Sequence, residues 1–157
     1  SDVCSSDLTE TSFQIQDIWN TMASDYYSHK VELKEGAYDL LKRLKESNIK
    51  IGIGTSNSKA LVDDLFENHN IKSFFDAIVT SNEVNNGKPA PDVFLCAAAK
   101  MNVDTKQCLV FEDLPNGIIA AKRAKMRVCA IDDRFSAHLR EEKTKLADYF
   151  VESFLEV

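Results

Sequence analysis

Apolar residues fall into two rhythms along this chain. Between residues 12 and 30, Ile15, Ile18, Trp19, Met22 and Tyr26 recur at spacings of three and four, which stacks them on one face of a helix. Ala37, Leu40, Leu41 and Leu44 form a second stripe and predict a helix from about Gly36 to Lys45, with Asn48 as its stop. From residue 49 onward, short apolar runs alternate with helical stripes. IKIGIGT (49–55) precedes a helix carrying Leu61, Val62, Leu65 and Phe66, and FFDAIVT (74–80) precedes the loop NNGKPAP and a helix over 92–101. CLVFE (108–112) leads to a helix over 115–125, VCAI (128–131) to a helix over 135–146, and a last short strand spans Tyr149 to Val151. Strands alternating with helices of this length predict an α/β fold, with a parallel sheet and helices on both of its faces.

Composition narrows the picture. A chain of 157 residues, 44% hydrophobic, can bury one sizeable core. A net charge of −6 argues against a nucleic-acid partner. Cys4, Cys96, Cys108 and Cys129 have no C-x-x-C spacing, and His29, His69 and His138 stand far apart, which speaks against structural zinc. The thiols are expected to be reduced and buried. No signal peptide is recognisable and no apolar run approaches the ~20 residues of a membrane span. The expectation is a cytoplasmic protein with no membrane partner.

In an open parallel sheet, ligands bind beyond the carboxyl ends of the strands. The first such end carries Thr55-Ser56-Asn57-Ser58, hydroxyls and amides opening a helix, which suits an anionic oxygen such as phosphate. The plainer reading is a helix cap. Lys88 lies between Gly87 and Pro89 on a stiff stretch of backbone, ready to meet negative charge; its plainer reading is a solvated loop lysine. Glu112 and Asp113 follow the buried run Cys108–Phe111. Adjacent carboxylates there need a compensating positive charge, and Mg2+ with oxygen ligands supplies it; a cap for the helix starting near Pro115 is the alternative. Together these groups are the equipment of phosphoryl transfer, apart from a nucleophile.

The order of these stretches closely resembles the haloacid dehalogenase (HAD) superfamily of phosphohydrolases, in its β-phosphoglucomutase-like branch. IGIGTSNS, NGKPAPDVF and VFEDLPNGIIAAKRAKM are similar to its second, third and fourth motifs. The resemblance implies a Rossmann-like core over residues 35–157 and a C-terminal remnant of a helical cap over 9–34. It also implies Thr55, Ser56 and Lys88 as phosphate-binding residues, Thr55 and Lys88 among them as catalytic residues, and Glu112 and Asp113 as Mg2+ ligands. The substrate implied is a small phosphorylated metabolite, such as a sugar phosphate, and the full-length protein would be a monomer. Two positions depart from the pattern: Leu114 stands where Ser is frequent, and Lys125 where Gly commonly ends the helix.

The larger departure concerns the family's first motif, a central strand ending in D-x-D-G-T whose first Asp attacks phosphorus to form an aspartyl-phosphate. Asp2, Asp7, Asp17, Asp25 and Asp39 have neither the strand nor the D-x-D partner. The opening SDVCSSDL is patterned like nothing after it, and the sequencing-adapter end GACGTGTGCTCTTCCGATCT translates in one frame as DVCSSDL. Residues 1–8 are therefore expected to be non-native and the central strand to be missing. The 157-residue chain is then expected to be poorly stable, prone to aggregation and inactive. A non-catalytic phosphate- and Mg2+-binding protein is the alternative. A metal-free dehalogenase sits badly with the Glu112-Asp113 pair, and a signalling receiver module with the order Thr, Lys, acidic pair.

Overall fold

The computed structural model describes residues 12–157, so the expectation for residues 1–8, and Cys4, lie outside the described residues. Helix α1 (Ser12–His29) is followed by α2 (Ala37–Glu46), β1 (Gly52–Thr55), α3 (Lys59–His69), β2 (Ala77–Thr80) and α4 (Asp92–Met101). Then come β3 (Leu109–Glu112), α5 (Pro115–Arg123), β4 (Arg127–Ile131), α6 (Arg140–Leu146) and β5 (Tyr149–Val151). All strand pairing is parallel, in the orders β1-β2 and β3-β4-β5. The α/β architecture is as the alternating pattern implies.

Side-chain parity places helices on both faces. On one face Ile53 and Ile78 join Val62 and Phe66 of α3, with Ile71 and Phe74, in a small core. On the other, Val79 joins Val93, Phe94, Ala97 and Ala98 of α4, Ile118, Ala120 and Ala121 of α5, and Val128 and Ala130 of β4 in the main core. Gly52 and Gly54 let α4 lie close against β1. A Cβ at Gly52 would stand 2.8 Å from Met101 Cε, and one at Gly54 3.0 Å from Phe94 Cδ1.

Parallel strands are normally buried on both faces. Here β4 is buried along most of its length and β2 nearly so, whereas β1 and β3 begin exposed and continue only half-buried. Those two strands each have one partner among the described residues, so each carries an open edge. Their apolar sequences, GIGT and LVFE, suit a more enclosed place in a sheet than the one they occupy. Helix α2 spans the two halves: Lys45 reaches Asp76 just before β2, and Arg43 donates to the carbonyl of Val157 at 2.7 Å.

Several expectations change in detail. The strand over 74–80 shortens to Ala77–Thr80, preceded by a 3-10 turn at Lys72–Phe74. Asp76 is fixed by the Ile51 N–H at 2.9 Å, and Phe75 turns aside to stack on Phe66. The helix over 135–146 is a 3-10 segment, Arg134–Leu139, running into α6, with Ser136 off helical geometry at φ −113°. The Ser136 hydroxyl donates to the Asp113 carbonyl at 2.9 Å and accepts from the buried Lys143 ammonium at 2.9 Å, which holds that turn. The stripe of α1 faces solvent instead of a core: Ile15, Ile18, Met22 and Tyr26 are exposed, and α1 meets α3 through its other side, where Ser24 donates to Asp64 at 2.6 Å. The Trp19 side chain lies outside the described set. Of the described cysteines, all free, Cys129 is buried but Cys96 and Cys108 are only half-buried.

Helix ends follow the sequence signals. Asn48, after α2, adopts φ 56°, and Lys125, after α5, adopts φ 62°, where glycine is the easier residue. Lys125→Gly is expected to stabilise the protein by about 0.5–1 kcal/mol by relieving that left-handed backbone. A thermal melt checks it: the midpoint should rise by about 2–4 °C per kcal/mol, and an unchanged or lower midpoint refutes the strain.

Candidate active site

The chemistry-bearing residues stand at the carboxyl ends of the strands, or in the loops that follow them. Thr55 closes β1, and its Oγ1 accepts from the Asn57 N–H at 3.1 Å. This small turn aims the hydroxyl and leaves its proton free to donate. Ser58 caps α3 by accepting from the Leu61 N–H, so the capping role falls to Ser58 and leaves Thr55 for other work. The exposed Ser56 is tied to the end of β2 through its carbonyl, which accepts from the Ser81 hydroxyl at 3.1 Å.

Lys88 is no solvated loop lysine. Its side chain is 14% exposed, its ammonium is ion-paired with Glu112, and it lies 4.8 Å from the centroid of the Phe94 ring. Phe94 is also the ring against which Gly54 packs, so Lys88 and the strand that ends in Thr55 both rest on the same side chain.

Glu112 ends β3 with its side chain 10% exposed. Its carboxylate fills the space beside Gly117, in the first turns of α5, where any Cβ would collide with it. The helix N-terminus favours negative charge there. Burial pushes the Glu112 carboxyl above its ordinary range, against the opposing pull of Lys88. Asp113 is more open, 38% exposed, and its Oδ2 lies 3.6 Å from the Lys34 ammonium. Lys34 is also ion-paired with Asp133, which follows β4. Burial raises the Asp133 carboxyl, but Lys34 and the N–H groups of Phe135 and Ser136 outweigh it and hold it below the usual carboxylate range.

The structure thus joins Lys88 directly to Glu112, with Asp113 the next residue along, and sets Thr55 and Ser56 at the end of β1, whose Gly54 packs on the same Phe94 as Lys88. Several participants had no signal in the sequence. Tyr27, given no role on sequence grounds, accepts at its hydroxyl from Asn57 Nδ2 at 2.9 Å and so ties α1 to the Thr55 turn. Lys34, Asp133 and Ser136 are likewise unmarked by any motif. Gly117 lay within the quoted fourth stretch, and its lack of a side chain was the one readable clue.

As ligands for a hard cation, Glu112 and Asp113 fit in part. Mg2+ keeps several waters and needs only one or two carboxylates plus substrate oxygens. Both carboxylates here face lysine ammoniums, and no cluster of three or more Asp, Glu, His or Cys side chains suited to a metal occurs among the described residues.

The parallel α/β core carries a hydroxyl, a lysine and an acidic pair at its strand ends or just beyond them. The family model for haloacid dehalogenase-like hydrolases matches residues 4–131, and the chain belongs to that family. It is 38% identical over 134 residues to a protein of Drosophila melanogaster named "Probable pseudouridine-5'-phosphatase", covering 78% of this chain and 58% of that one. It is 41% identical over 76 residues to the fructose-1-phosphate phosphatase YqaB of Escherichia coli, covering 48% of this chain and 40% of that one. Among solved structures, CbbY of Rhodobacter sphaeroides in complex with phosphate superposes with a TM-score of 0.82 at 26% identity, covering 93% of this chain and 67% of that one. The chain spans little more than half the length of the first of these curated relatives. No helix among the described residues is long and apolar enough to cross a membrane.

Proposed function

We propose that the full-length protein is a Mg2+-dependent phosphatase or phosphomutase acting on a small phosphorylated metabolite, in particular a sugar phosphate. The observation that carries this reading is the buried Lys88–Glu112 ion pair, with Glu112 closing β3 and Thr55 closing β1. Relatives named for phosphatase activity on fructose 1-phosphate and pseudouridine 5'-phosphate support the substrate class.

In this reading Thr55, the Ser56 amide and Lys88 hold the oxygens of the transferring group and spread its charge. Glu112 and Asp113 hold Mg2+, which when bound neutralises charge developing on the phosphoryl oxygens. The nucleophile is an aspartate on a strand that pairs between β1 and β3, against the two open edges, and residues 9–34 are the end of a cap that shields the site. Attack of the aspartate carboxylate on phosphorus breaks the phosphorus–oxygen ester bond, releases the substrate's alcohol and gives an aspartyl-phosphate, which water or a second hydroxyl then resolves. The described residues that ring the site supply no such aspartate: Asp113 and Asp133 each face Lys34. On this reading the 157-residue chain is expected to release no phosphate. A binding protein that has no nucleophile at all is the second reading.

The test compares phosphate release from fructose 1-phosphate by this chain and by the chain extended with a cap and a D-x-D-G-T strand taken from a relative. No release by the former, and release by the latter that Lys88→Ala abolishes, is the expected result. Release by this chain alone that Lys88→Ala abolishes would overturn the missing-nucleophile reading. An extended chain that folds and binds inorganic phosphate without turnover would favour the binding protein.

A further inference from the structure

Lys34 belongs to the segment between α1 and α2, outside every stretch that marks the site, yet its ammonium enters the acidic cluster. It is ion-paired with Asp133 and stands 3.6 Å from Asp113 Oδ2, with its side chain only 33% exposed. The segment that carries it is held at both ends. The Val31 carbonyl lies 2.7 Å from His69 Nε2 at the end of α3, and the Glu35 carbonyl accepts from the Phe154 N–H at 3.2 Å. At Gly36, with φ 77°, the chain passes so near Leu155 that a Cβ would stand 2.7 Å from its backbone nitrogen. Lys34 is therefore delivered to Asp113 and Asp133 by a fixed backbone.

We propose that Lys34 is a tethered counter-ion that competes with a divalent cation for Asp113, so that cation binding leaves Lys34 to Asp133 alone. The inference rests on the reading of Asp113 as a metal ligand and goes beyond it. An ammonium and a dication cannot share one carboxylate without repulsion at distances well inside the screening length. Asp133 gives the displaced ammonium a second partner, so exchange needs only a small movement of Lys34.

Mn2+ binding to the whole 157-residue chain, followed by electron paramagnetic resonance, tests the proposal. Lys34→Gln should bind Mn2+ at least about fivefold tighter than the parent, and Lys34→Arg should stay near the parent. Asp133→Asn drives Lys34 onto Asp113 and should weaken binding several-fold in the parent, but have no effect in the Lys34→Gln background. Equal or weaker Mn2+ binding by a folded Lys34→Gln overturns the competition, as does loss of binding on Asp133→Asn in the Lys34→Gln background, which would make Asp133 a ligand. Asp113→Asn separates the two readings: if it binds Mn2+ as tightly as the parent, the metal reading of Asp113 itself has failed.

Discussion

Lys88→Met is expected to lower the free energy of unfolding by about 3–5 kcal/mol near neutral pH, because it strands a buried carboxylate. Lys88 and Glu112 are 14% and 10% exposed, so neither water nor another cation among their described partners takes the place of the lost ammonium. The loss should depend on pH in a definite direction. Burial already raises the Glu112 carboxyl and Lys88 opposes that rise, so removing the lysine raises it further. A group whose pKa is higher in the folded state favours folding while it is protonated, and that contribution is lost as pH climbs through the folded value. The penalty of Lys88→Met should therefore be smallest in acid, near the ordinary glutamate value of 4.5, and grow as pH rises. Adding Glu112→Gln to Lys88→Met should recover most of the stability and flatten the pH dependence. Urea unfolding of the two variants at several pH values decides it. A penalty that stays constant with pH would show that packing of the lysine stem against Phe94, and not the charge, is what was removed.

Phe66→Ala should cost about 3–5 kcal/mol at every pH. Phe66 is 1% exposed, stacks on Phe75 at 5.1 Å between ring centroids, and is the largest fully buried side chain of the small core between β1 and α3. Against a total stability of about 5–15 kcal/mol for an ordinary domain, a loss of this size leaves little. Denaturant unfolding should show a lower midpoint with an unchanged slope. Phe135→Ala, at a side chain 73% exposed, serves as the contrast and should stay within about 0.5 kcal/mol of the parent. If the two variants behave alike, the core under β1 is not packed as described, and the Thr55 turn it supports is not held.

The two effects separate the site from its support. Lys88 and Glu112 hold each other in a buried ion pair, and their cost appears as a charge effect. Phe66 sits under the strand that ends in Thr55, and its cost is one of volume. A change that loosens β1 through its core should weaken inorganic-phosphate binding without altering the pH dependence set by Glu112.

Much of this protein was written locally. Period and punctuation alone set α4 at Asp92–Met101 and β5 at Tyr149–Val151, and marked Asn48 as the stop after α2; the family resemblance marked Lys125. The strand ends carrying Thr55, Ser56, Lys88, Glu112 and Asp113 were legible for the same reason: each motif is contiguous, and a strand followed by a helix fixes where its residues point. What the tertiary structure decided is long-range. Lys34 and Asp133 are 99 residues apart, and Tyr27 and Asn57 are 30 apart, so no periodicity could pair them. The stripe of α1 showed that the helix has an apolar face but not what covers it, and the described neighbour, α3, meets the other side. The same limit explains the broken helix before α6: its pattern is helical, but Lys143 and the Asp113 carbonyl both claim Ser136. A local pattern states a residue's preference for burial or charge, while its partner is chosen only when distant segments compete for the same space.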